Sequence, residues 1–416
     1  MNLTGILGVA KAVIGMVQRR ALPGRPLLTL PTLPALLLVL LLGSCAAGGQ
    51  APAARRAGPP LPIAELLLVG FDGIEVEGND EVRSLVCDVK VGGLILFERN
   101  LATRTPRNIV SPEQVARLTR DLQALALRCA GRPLLIAADN EGGQVMRLSS
   151  RAGYIPAFSP QELGDTDDEA LTELEARRIG AAMREAGINW NLAPVVDVAL
   201  NPTNPAVVTL NRTFSSDPAR VAAHARAFVR GMRTAGILTT LKHFPGHGSS
   251  RVDSHLGFTD VTDTADPRLE LAPYRTLIAE GLADSIMPAH VFNRNLDRSQ
   301  PASLSRATVQ RLLRGRLGYA GLVVSDDLLM GAITKHYGIE EAAVLALRAS
   351  VDVLLISHNA FKDERRASER VIAEVRRALA DGRLSRKAVE GSLRRVGEFR
   401  ERIPAHEASR NAGRAF

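Results

Sequence analysis

The clearest indication of the fold is the stretch Gly321-Leu322-Val323-Val324-Ser325-Asp326-Asp327, which joins a short apolar run directly to two carboxylates. An uninterrupted run of branched apolar residues is typical of a strand that is buried on both faces of a parallel sheet. A carboxylate directly after such a strand would lie at the floor of a pocket on the carboxyl edge of the sheet. The stretch therefore predicts a buried parallel strand that ends at a candidate functional site.

Eight apolar runs of this kind occur along the chain, and amphipathic helical stretches separate most of them. They are Glu65–Gly70, Gly93–Phe97, Pro133–Ala138, Asn189–Val196, Thr239–His243, Ser285–Ala289, Gly321–Ser325 and Val351–Ser357. Eight strand–helix repeats predict an α/β protein with a single (β/α)8 barrel of the TIM type. A doubly wound open sheet is the alternative that this pattern allows. We expect the barrel over residues 63–403, no second domain, and a short tail over residues 404–416.

Four helix starts can be read from capping signals. Ser111-Pro112-Glu113 combines an N-cap serine with proline at the first helical position. Ser216-Asp217-Pro218 repeats this pattern, and its helix is expected to end near Gly236. Ser305 and Ser385 are expected to open two further helices. The first three of these helices lie between predicted strands, as the barrel requires, and the fourth follows the eighth strand.

Most of the excess positive charge of the chain lies in its amino-terminal segment. The net charge is +8, from 52 Lys and Arg against 44 Asp and Glu. Residues 1–57 contain six Lys or Arg and no acidic residue, so the rest of the chain is nearly neutral. A near-neutral body gives no electrostatic basis for binding nucleic acid, and we expect no such partner.

The first 44 residues have the composition of a targeting segment. Three arginines precede an apolar run over Ala35–Leu42, which is too short to span a bilayer. The following Leu42-Gly43-Ser44-Cys45 resembles a bacterial lipobox, which implies cleavage before Cys45 and attachment of a lipid to it. An ordinary signal peptide with a chance cysteine is the alternative. We expect an exported lipoprotein that faces the periplasm or cell wall, with a flexible tether over residues 45–62.

The other two cysteines, Cys87 and Cys129, are far apart in the sequence and belong to no metal-binding pattern. Two cysteines could pair in an oxidising compartment, but their spacing does not bring them together. We therefore expect buried free thiols.

Polar or ionisable residues follow six of the eight predicted strands. They are Asp139-Asn140-Glu141-Gly142-Gly143, Asp197, Lys242-His243 with His247, His290, Asp326-Asp327 and His358-Asn359. In a parallel barrel these strand ends all meet on one face, which is the face that carries TIM-barrel active sites. The coincidence of six such groups predicts an active site there.

The two carboxylates after the seventh strand suit a glycosidase. A carboxylate at the pocket floor can act as nucleophile at an anomeric carbon and stabilise an oxocarbenium-like transition state. The common structural use of Asp after a strand is to cap a helix. We expect one of Asp326 and Asp327 to be catalytic and the other structural, with Asp326 as the nucleophile.

An acid/base group could come from the segment between Lys242 and His255. Asp253 and His255 lie two residues apart in a stretch rich in Gly and Ser, and a histidine oriented by an aspartate is a common proton-transfer pair. Zinc is the rival interpretation, with His243, His247, Asp253 and His255 as ligands. Pro245 and Gly246 prevent a regular helix from presenting His243 and His247 on one face, which weakens that interpretation.

The same segment carries a family resemblance. Lys242-His243-Phe244-Pro245-Gly246-His247-Gly248, followed by Asp253-Ser254-His255, resembles the signature of glycoside hydrolase family 3, in its bacterial β-N-acetylhexosaminidase branch. Further matching motifs are Asp139–Gly143 with Arg147, Ala193–Asp197, Asn211–Phe214, Met287–His290 and Ser325–Leu328. The resemblance covers about residues 63–400. The six motifs occur in the order that the family requires.

The resemblance implies a role for each matching residue. Asp326 would form a covalent glycosyl-enzyme, and His255 would be the acid/base, held by Asp253. The residues expected to bind the sugar are Asp139, Arg147, Arg212, Lys242 and His243. The Asp-Ser-His loop favours the N-acetylhexosaminidase branch over relatives that act on glucosides, which usually take a Glu acid/base from a second domain. The resemblance also disfavours zinc, so neither a metal nor another cofactor is expected.

The expected substrate is terminal β-linked N-acetylglucosamine in bacterial wall fragments, and we expect a monomer. Two departures from the family pattern flank Asp139: Asn140 stands where Gln or His is usual, and Gln144 where Arg or Lys is frequent. The alternatives are a family relative with another sugar preference or with phosphorolytic activity, and a non-catalytic wall-binding lipoprotein.

Overall fold

The computed structural model describes residues 59–100, 103–362 and 365–404. The predictions for the signal peptide, Cys45, the tether before residue 59 and the tail after residue 404 lie outside the described residues. Within them, no helix is both long enough and apolar enough to cross a bilayer. The segment from Pro59 onward forms one compact unit.

Eight parallel strands form the centre of this unit. They are β1 (Leu67–Gly70), β2 (Gly93–Ile95), β3 (Leu135–Ala138), β4 (Trp190–Asn191), β5 (Leu238–Phe244), β6 (Ser285–Pro288), β7 (Leu322–Val323) and β8 (Leu354–Ile356). Each lies within or overlaps one of the eight predicted apolar runs, so the strand predictions are confirmed. Most of their side chains are buried, which is why the runs are almost continuously apolar.

The sheet is curled and TIM-like, with the strand order β7-β6-β5-β4-β3-β2-β1-β8. A parallel bridge between Val324 and Val353 also joins the continuation of β7 to the residue before β8. The doubly wound alternative is wrong, because the strand order follows the chain without the reversal that such a fold requires.

Helices surround the sheet. The α-helices are α1 (Asp80–Arg83), α2 (Pro112–Ala130), α3 (Pro160–Thr166), α4 (Glu169–Glu185), α5 (Pro218–Thr234), α6 (Pro267–Glu270), α7 (Ala272–Ala279), α8 (Gly331–Thr334), α9 (Ile339–Ala349), α10 (Ala367–Ala380) and α11 (Arg386–Glu401). Two π-helical segments, Ser84–Val89 and Ala307–Arg316, occupy further positions in this layer.

The capping residues explain where several helices begin. Ser111 accepts a hydrogen bond from the backbone amide of Gln114 at 3.2 Å, and Pro112 opens α2 as predicted. Asp217, not Ser216, caps α5 through the amide of Ala219 at 2.9 Å. Ser385 precedes α11 without a side-chain cap, and Ser305 caps the π-helical segment through the amide of Thr308 at 3.1 Å.

Short strand pairs follow the carboxyl ends of several barrel strands. Asn140–Gly142 and Val145–Met146 form an antiparallel hairpin after β3. Thr259–Asp260 pairs in parallel with Val291–Phe292. Phe361–Lys362 pairs in antiparallel with Arg365–Arg366. The hairpin after β3 positions part of the candidate site.

The expectation of free thiols is wrong, because Cys87 and Cys129 form a disulfide. Cys87 belongs to the π-helical segment Ser84–Val89, and Cys129 is on the last turn of α2. These two helices pack side by side, so two cysteines separated by 42 residues become neighbours. Sequence spacing could not reveal this contact, because it arises from helix packing.

Replacing both cysteines by serine is expected to lower the free energy of unfolding by about 2–4 kcal/mol, because the cross-link limits the unfolded chain. Urea unfolding under oxidising conditions measures the difference. Dithiothreitol should lower the stability of the wild type to that of the variant and leave the variant unchanged. Equal stabilities of the two oxidised proteins would contradict the prediction.

Candidate active site

A buried network of charges lies at the ends of β3 and β5. The Lys242 Nζ atom is 2.8 Å from a carboxylate oxygen of Asp139 and 2.8 Å from one of Glu141. Arg212 donates two hydrogen bonds to Glu141, each at 2.8 Å, and Arg147 is 3.3 Å from Asp139. The structure therefore brings four of the predicted sugar-binding residues into one network.

The network alternates positive and negative groups, which keeps every member charged. Burial alone would raise the pKa of the Asp139 carboxyl, but Lys242 and Arg147 outweigh burial and lower it. The pKa of Glu141 is also lowered, since Arg212 and Lys242 outweigh the effect of burial. Burial would lower the pKa of Lys242, but the two carboxylates raise it. Fixed charges of both signs can bind sugar hydroxyl groups as acceptors and donors.

His243, the fifth predicted sugar-binding residue, is oriented by Asp197 at the end of β4. The His243 Nδ1 atom is 2.7 Å from one oxygen of Asp197. The backbone amides of His243 and His247 donate to the other oxygen, at 3.2 and 2.8 Å. Burial raises the pKa of Asp197, but the contacts with His243 and His247 lower it overall. Asp197 thus fixes the His243 ring and the start of the following loop.

Asp326 lies beyond β7 among three histidines. Burial would raise its pKa, but His290, His243 and His255 outweigh burial and lower it, so the carboxylate is ionised at neutral pH. One Asp326 oxygen accepts a hydrogen bond from the backbone amide of Asp327 at 2.8 Å. An ionised carboxylate near imidazoles has the protonation state that a nucleophile needs.

Asp327 makes contacts of a different kind. Its carboxylate accepts hydrogen bonds from the backbone amides of Leu329 and Ser357, at 3.2 and 3.0 Å, and from the Ser357 hydroxyl. Burial raises its pKa. The geometry fits a structural role, but not the helix cap suggested by the sequence, because Met330 occupies the N-cap position of α8.

His290, just after β6, holds the backbone beside Asp326. Its Nε2 atom is 2.9 Å from the carbonyl oxygen of Asp327, and its Nδ1 atom is 2.6 Å from the Ser303 hydroxyl. Burial lowers the pKa of His290, which favours the neutral ring. Because a carbonyl can only accept, the neutral ring carries its proton on Nε2 and accepts from Ser303 through Nδ1.

Asp253 and His255 form a pair on the loop that follows β5. The His255 Nδ1 atom is 2.7 Å from an Asp253 oxygen, which also accepts from the His255 backbone amide at 2.9 Å. Burial raises the pKa of Asp253, but the hydrogen bonds from His255 lower it. The His255 side chain is 58% exposed, so its Nε2 side can reach a bound molecule. We name residues 246–256 the acid/base loop, after the role that the sequence analysis predicted for His255.

An open cleft of about 440 Å³ adjoins the charged network. It is lined by the segments after β2 and β3 and by Ser357 after β8, including Phe97, Arg107, Gln144 and Arg147. Arg147 is shared between the cleft and the contact with Asp139. Gln144, one of the departures from the family pattern, lies in its wall.

The proposed zinc ligands have separate partners in this structure. His243 contacts Asp197, His247 contacts the Ser254 hydroxyl at 3.0 Å, and His255 contacts Asp253. Over the described part of the chain, no group of three or more His, Cys, Asp or Glu side chains is arranged to hold a metal ion. The contacts fit the proton-transfer interpretation of these residues.

Sequence reasoning assigned no catalytic or sugar-binding role to four residues of the site. They are Glu141, Asp197, His247 and His290, each of which follows a predicted strand. Their position after strands was a usable signal for membership of the site. Their partners were not predictable, because Glu141 and Arg212 are 71 residues apart and meet only through the fold.

Glu270, in α6, is buried below the acid/base loop, where the Ser249 amide donates to it at 3.3 Å. Burial raises its pKa from 4.5 to about 7. A carboxyl with a raised folded-state pKa lowers the free energy of unfolding wherever its unfolded form would ionise, so the loss is absent below about pH 4.5, grows as the pH rises to about 7, and is complete above it.

Glu270→Gln is therefore expected to raise the free energy of unfolding by about 3 kcal/mol near pH 8.5 and to have little effect near pH 4. Urea unfolding at the two pH values measures the change, because glutamine keeps an acceptor for Ser249 and removes the charge. A stabilisation of the same size at both pH values would show that the charge of Glu270 is not its origin.

The chain is similar to several known proteins. A β-hexosaminidase of Stenotrophomonas maltophilia (strain K279a) is 38% identical over 313 residues, which are 72% of this chain and 85% of that protein. The structure of a glycoside hydrolase family 3 β-N-acetylglucosaminidase from Paenibacillus sp. str. FPU-7 has a TM-score of 0.75 at 37% identity. That match covers 82% of this chain and 62% of the Paenibacillus protein, so this chain spans less than two thirds of it.

A second solved structure matches along nearly its whole length. The β-N-acetylhexosaminidase from Beutenbergia cavernae DSM 12333 has a TM-score of 0.72 at 30% identity, and the match covers 82% of this chain and 97% of that one. Residues 62–399 match the family described as the Glycosyl hydrolase family 3 N terminal domain. The chain therefore belongs to glycosyl hydrolase family 3.

Proposed function

We propose that the chain is a retaining exo-β-N-acetylhexosaminidase that removes terminal β-linked N-acetylglucosamine. The observation that carries the proposal is the ionised Asp326 carboxylate among three histidines, one of which is His255 on the acid/base loop. This arrangement supplies a nucleophile and a proton donor in one site. The β-hexosaminidase names of the relatives support the choice of sugar.

In the first step, an Asp326 oxygen attacks the anomeric carbon while the bond to the leaving oxygen breaks. His255 donates its Nε2 proton to that oxygen, and Asp253 stabilises the ring through Nδ1. In the second step, neutral His255 removes a proton from water, which attacks the anomeric carbon and releases Asp326. The two displacements together retain the β configuration.

The charged network would hold the sugar during both steps. Asp139 and Lys242 present a carboxylate and an ammonium group side by side, and they can accept from and donate to adjacent hydroxyl groups. Arg147 also contacts the Asp139 carboxylate, and its side chain lines the open cleft. Arg212 is buried against Glu141, so we assign it to holding the network in shape.

We further propose that the protein works outside the cytoplasm, tethered through a lipid on Cys45, on fragments of the bacterial wall. The disulfide between Cys87 and Cys129 supports this location, because such bonds persist in oxidising compartments. Membrane fractionation of cells that express the full chain or Cys45→Ala tests the anchor. Recovery of both forms in the same fraction would count against it.

The experiment that tests the activity compares three conditions with the purified full chain in detergent. The expected result is release of 4-nitrophenol from 4-nitrophenyl N-acetyl-β-D-glucosaminide, with much slower release from the β-glucoside analogue. Added phosphate should produce no sugar 1-phosphate; its formation would favour phosphorolysis. Failure of the folded protein to release nitrophenol from either glycoside would contradict the proposed activity and favour a binding role.

A further inference from the structure

The acid/base loop is attached to the segment that follows the nucleophile. We name residues 326–335 the nucleophile segment, since it starts at Asp326 and includes α8. The backbone amides of Gly331 and Ala332 donate to the carbonyl oxygens of His255 and Ser254, each at 3.2 Å. The Lys335 ammonium donates to the carbonyl oxygen of Leu256 at 2.6 Å. Three consecutive carbonyls of the loop are therefore bound by one short segment.

The close approach of the two segments depends on a glycine. A Cβ atom added at Gly331 would lie 2.8 Å from the carbonyl oxygen of His255 and 3.1 Å from the carbonyl carbon of Leu256. Both are backbone atoms, so the loop itself would have to move to accept a side chain. Gly331 thus permits a contact that almost any other residue would prevent.

A second attachment lies on the other side of the loop. The Ser254 hydroxyl is 3.0 Å from Nε2 of His247, whose backbone amide is held by Asp197 at 2.8 Å. Burial and the neighbouring His243 lower the pKa of His247 to about 4, so its ring is neutral at neutral pH. Ser254 is therefore fixed from the barrel side by its hydroxyl and from the nucleophile segment by its carbonyl.

These attachments matter because the His255 ring is 58% exposed and has Asp253 as its hydrogen-bond partner. Asp253 belongs to the same loop, so this pair orients the ring relative to the loop but does not place the loop relative to Asp326. The bonds from Gly331, Ala332 and Lys335 are the contacts that relate the loop to the nucleophile's own segment.

We propose that Gly331 and Lys335 are positioning residues for proton transfer, which dock the acid/base loop so that His255 is held at a fixed place relative to Asp326. The proposal rests on the proposed function, since it assumes that His255 is the acid/base. Neither residue touches the reacting atoms. Small displacements of a catalytic group can lower a rate by about 100-fold, so this docking has a measurable consequence.

The consequence depends on the leaving group. An alkyl alcohol must receive a proton as its bond to the sugar breaks, whereas 4-nitrophenolate departs with little help from an acid. Loosening the docked loop should therefore lower kcat/KM for an alkyl N-acetyl-β-glucosaminide about tenfold. It should leave kcat/KM for the nitrophenyl substrate within about twofold of the wild type. A purely structural defect would lower both values together.

Two variants and two matched controls test the proposal in the full chain. Lys335→Met removes the ammonium and keeps the aliphatic stem, and Gly331→Ala adds the Cβ that meets the His255 carbonyl. Lys387→Met alters an exposed lysine of α11. Gly397→Ala adds a Cβ that meets no atom within 4 Å, so both controls should behave as the wild type. Circular dichroism establishes that each protein is folded, and Lys335→Met provides the test if Gly331→Ala fails to fold.

The measured quantity is the ratio of kcat/KM for the alkyl substrate to kcat/KM for the nitrophenyl substrate. A fall of about tenfold in this ratio for Lys335→Met and Gly331→Ala, with no change in the controls, is the expected result. An unchanged ratio in a folded Lys335→Met protein would overturn the proposal, whether or not overall activity falls. Inactivity of the wild type on both substrates would instead count against the proposed function.

Discussion

Asp326→Ala is expected to lower kcat for 4-nitrophenyl N-acetyl-β-D-glucosaminide by about 10⁴-fold or more, because it removes the group proposed to form the covalent intermediate. The fold should survive, since in the described part of the chain the hydrogen bond to the Asp326 carboxylate comes from the adjacent Asp327 amide and joins no distant segments. Steady-state kinetics with a stability measurement on the same preparation would establish both points. Residual activity within tenfold of the wild type would rule out Asp326 as the nucleophile.

The stereochemistry of the products formed with sodium azide distinguishes the nucleophile from the acid/base. In Asp326→Ala, a small anion can occupy the space of the missing carboxylate, attack the sugar from that side, and form the α-glycosyl azide by one inversion. In His255→Ala, azide attacks the glycosyl-enzyme in place of water and forms the β-glycosyl azide. Proton NMR of the products distinguishes them. A β-azide from Asp326→Ala would contradict the assignment.

Asp327 provides the contrasting case. Its carboxylate binds two backbone amides and the Ser357 hydroxyl, so its replacement removes contacts between the segments after β7 and β8. The proposed nucleophilic role of Asp326 and the structural contacts of Asp327 therefore result from different surroundings of identical side chains. The sequence indicated that the two would divide these roles, but only their contacts identify how Asp327 is used.

The strands were predictable because each buried strand of a parallel sheet needs apolar side chains on both faces. Their ends were less predictable. Within the predicted run Asn189–Val196, only Trp190–Asn191 form the strand β4. The backbone amide of Val196 nevertheless donates to the Lys242 carbonyl at 2.7 Å. Apolar composition continues beyond the ladder because the loop residues are also buried, so composition alone could not mark the strand end.

The members of the site were predictable to the extent that strand ends share one face of a barrel. The pairings within the site were not, since they depend on which side chains point toward each other across strands. Lys242 meets Asp139 at a separation of 103 residues, and no local pattern encodes that contact. The docking of the acid/base loop on Gly331 is of the same kind, because a glycine's neighbours are defined by the fold.

Glu141 and Arg212 form a deeply buried ion pair of the charged network, with side chains that are 0% and 8% exposed. Arg212→Met would leave two buried carboxylates, Glu141 and Asp139, to share Lys242. We expect the free energy of unfolding to fall by about 3–5 kcal/mol at neutral pH, because removing one partner leaves the other charge uncompensated. Urea unfolding measures the loss.

The pH dependence of this loss follows from the pKa of Glu141, which its positive partners hold below the ordinary value despite burial. A lowered folded-state pKa contributes stability above the ordinary pKa of the carboxyl and loses it as the pH falls toward the folded-state value. The difference between wild type and Arg212→Met should therefore be largest near neutral pH and shrink in acid.

Two further variants distinguish a buried charge from lost packing. Glu141→Gln combined with Arg212→Met removes both charges, so the double variant should be more stable than Arg212→Met alone. Arg226 binds Glu280 with the same two-bond geometry, at 2.8 and 2.7 Å, but at the surface, so Arg226→Met should cost less than about 1 kcal/mol. If Arg212→Met lowers the free energy of unfolding no more than Arg226→Met does, the charged network does not depend on Arg212. Lys242 would then be sufficient to hold both carboxylates in place.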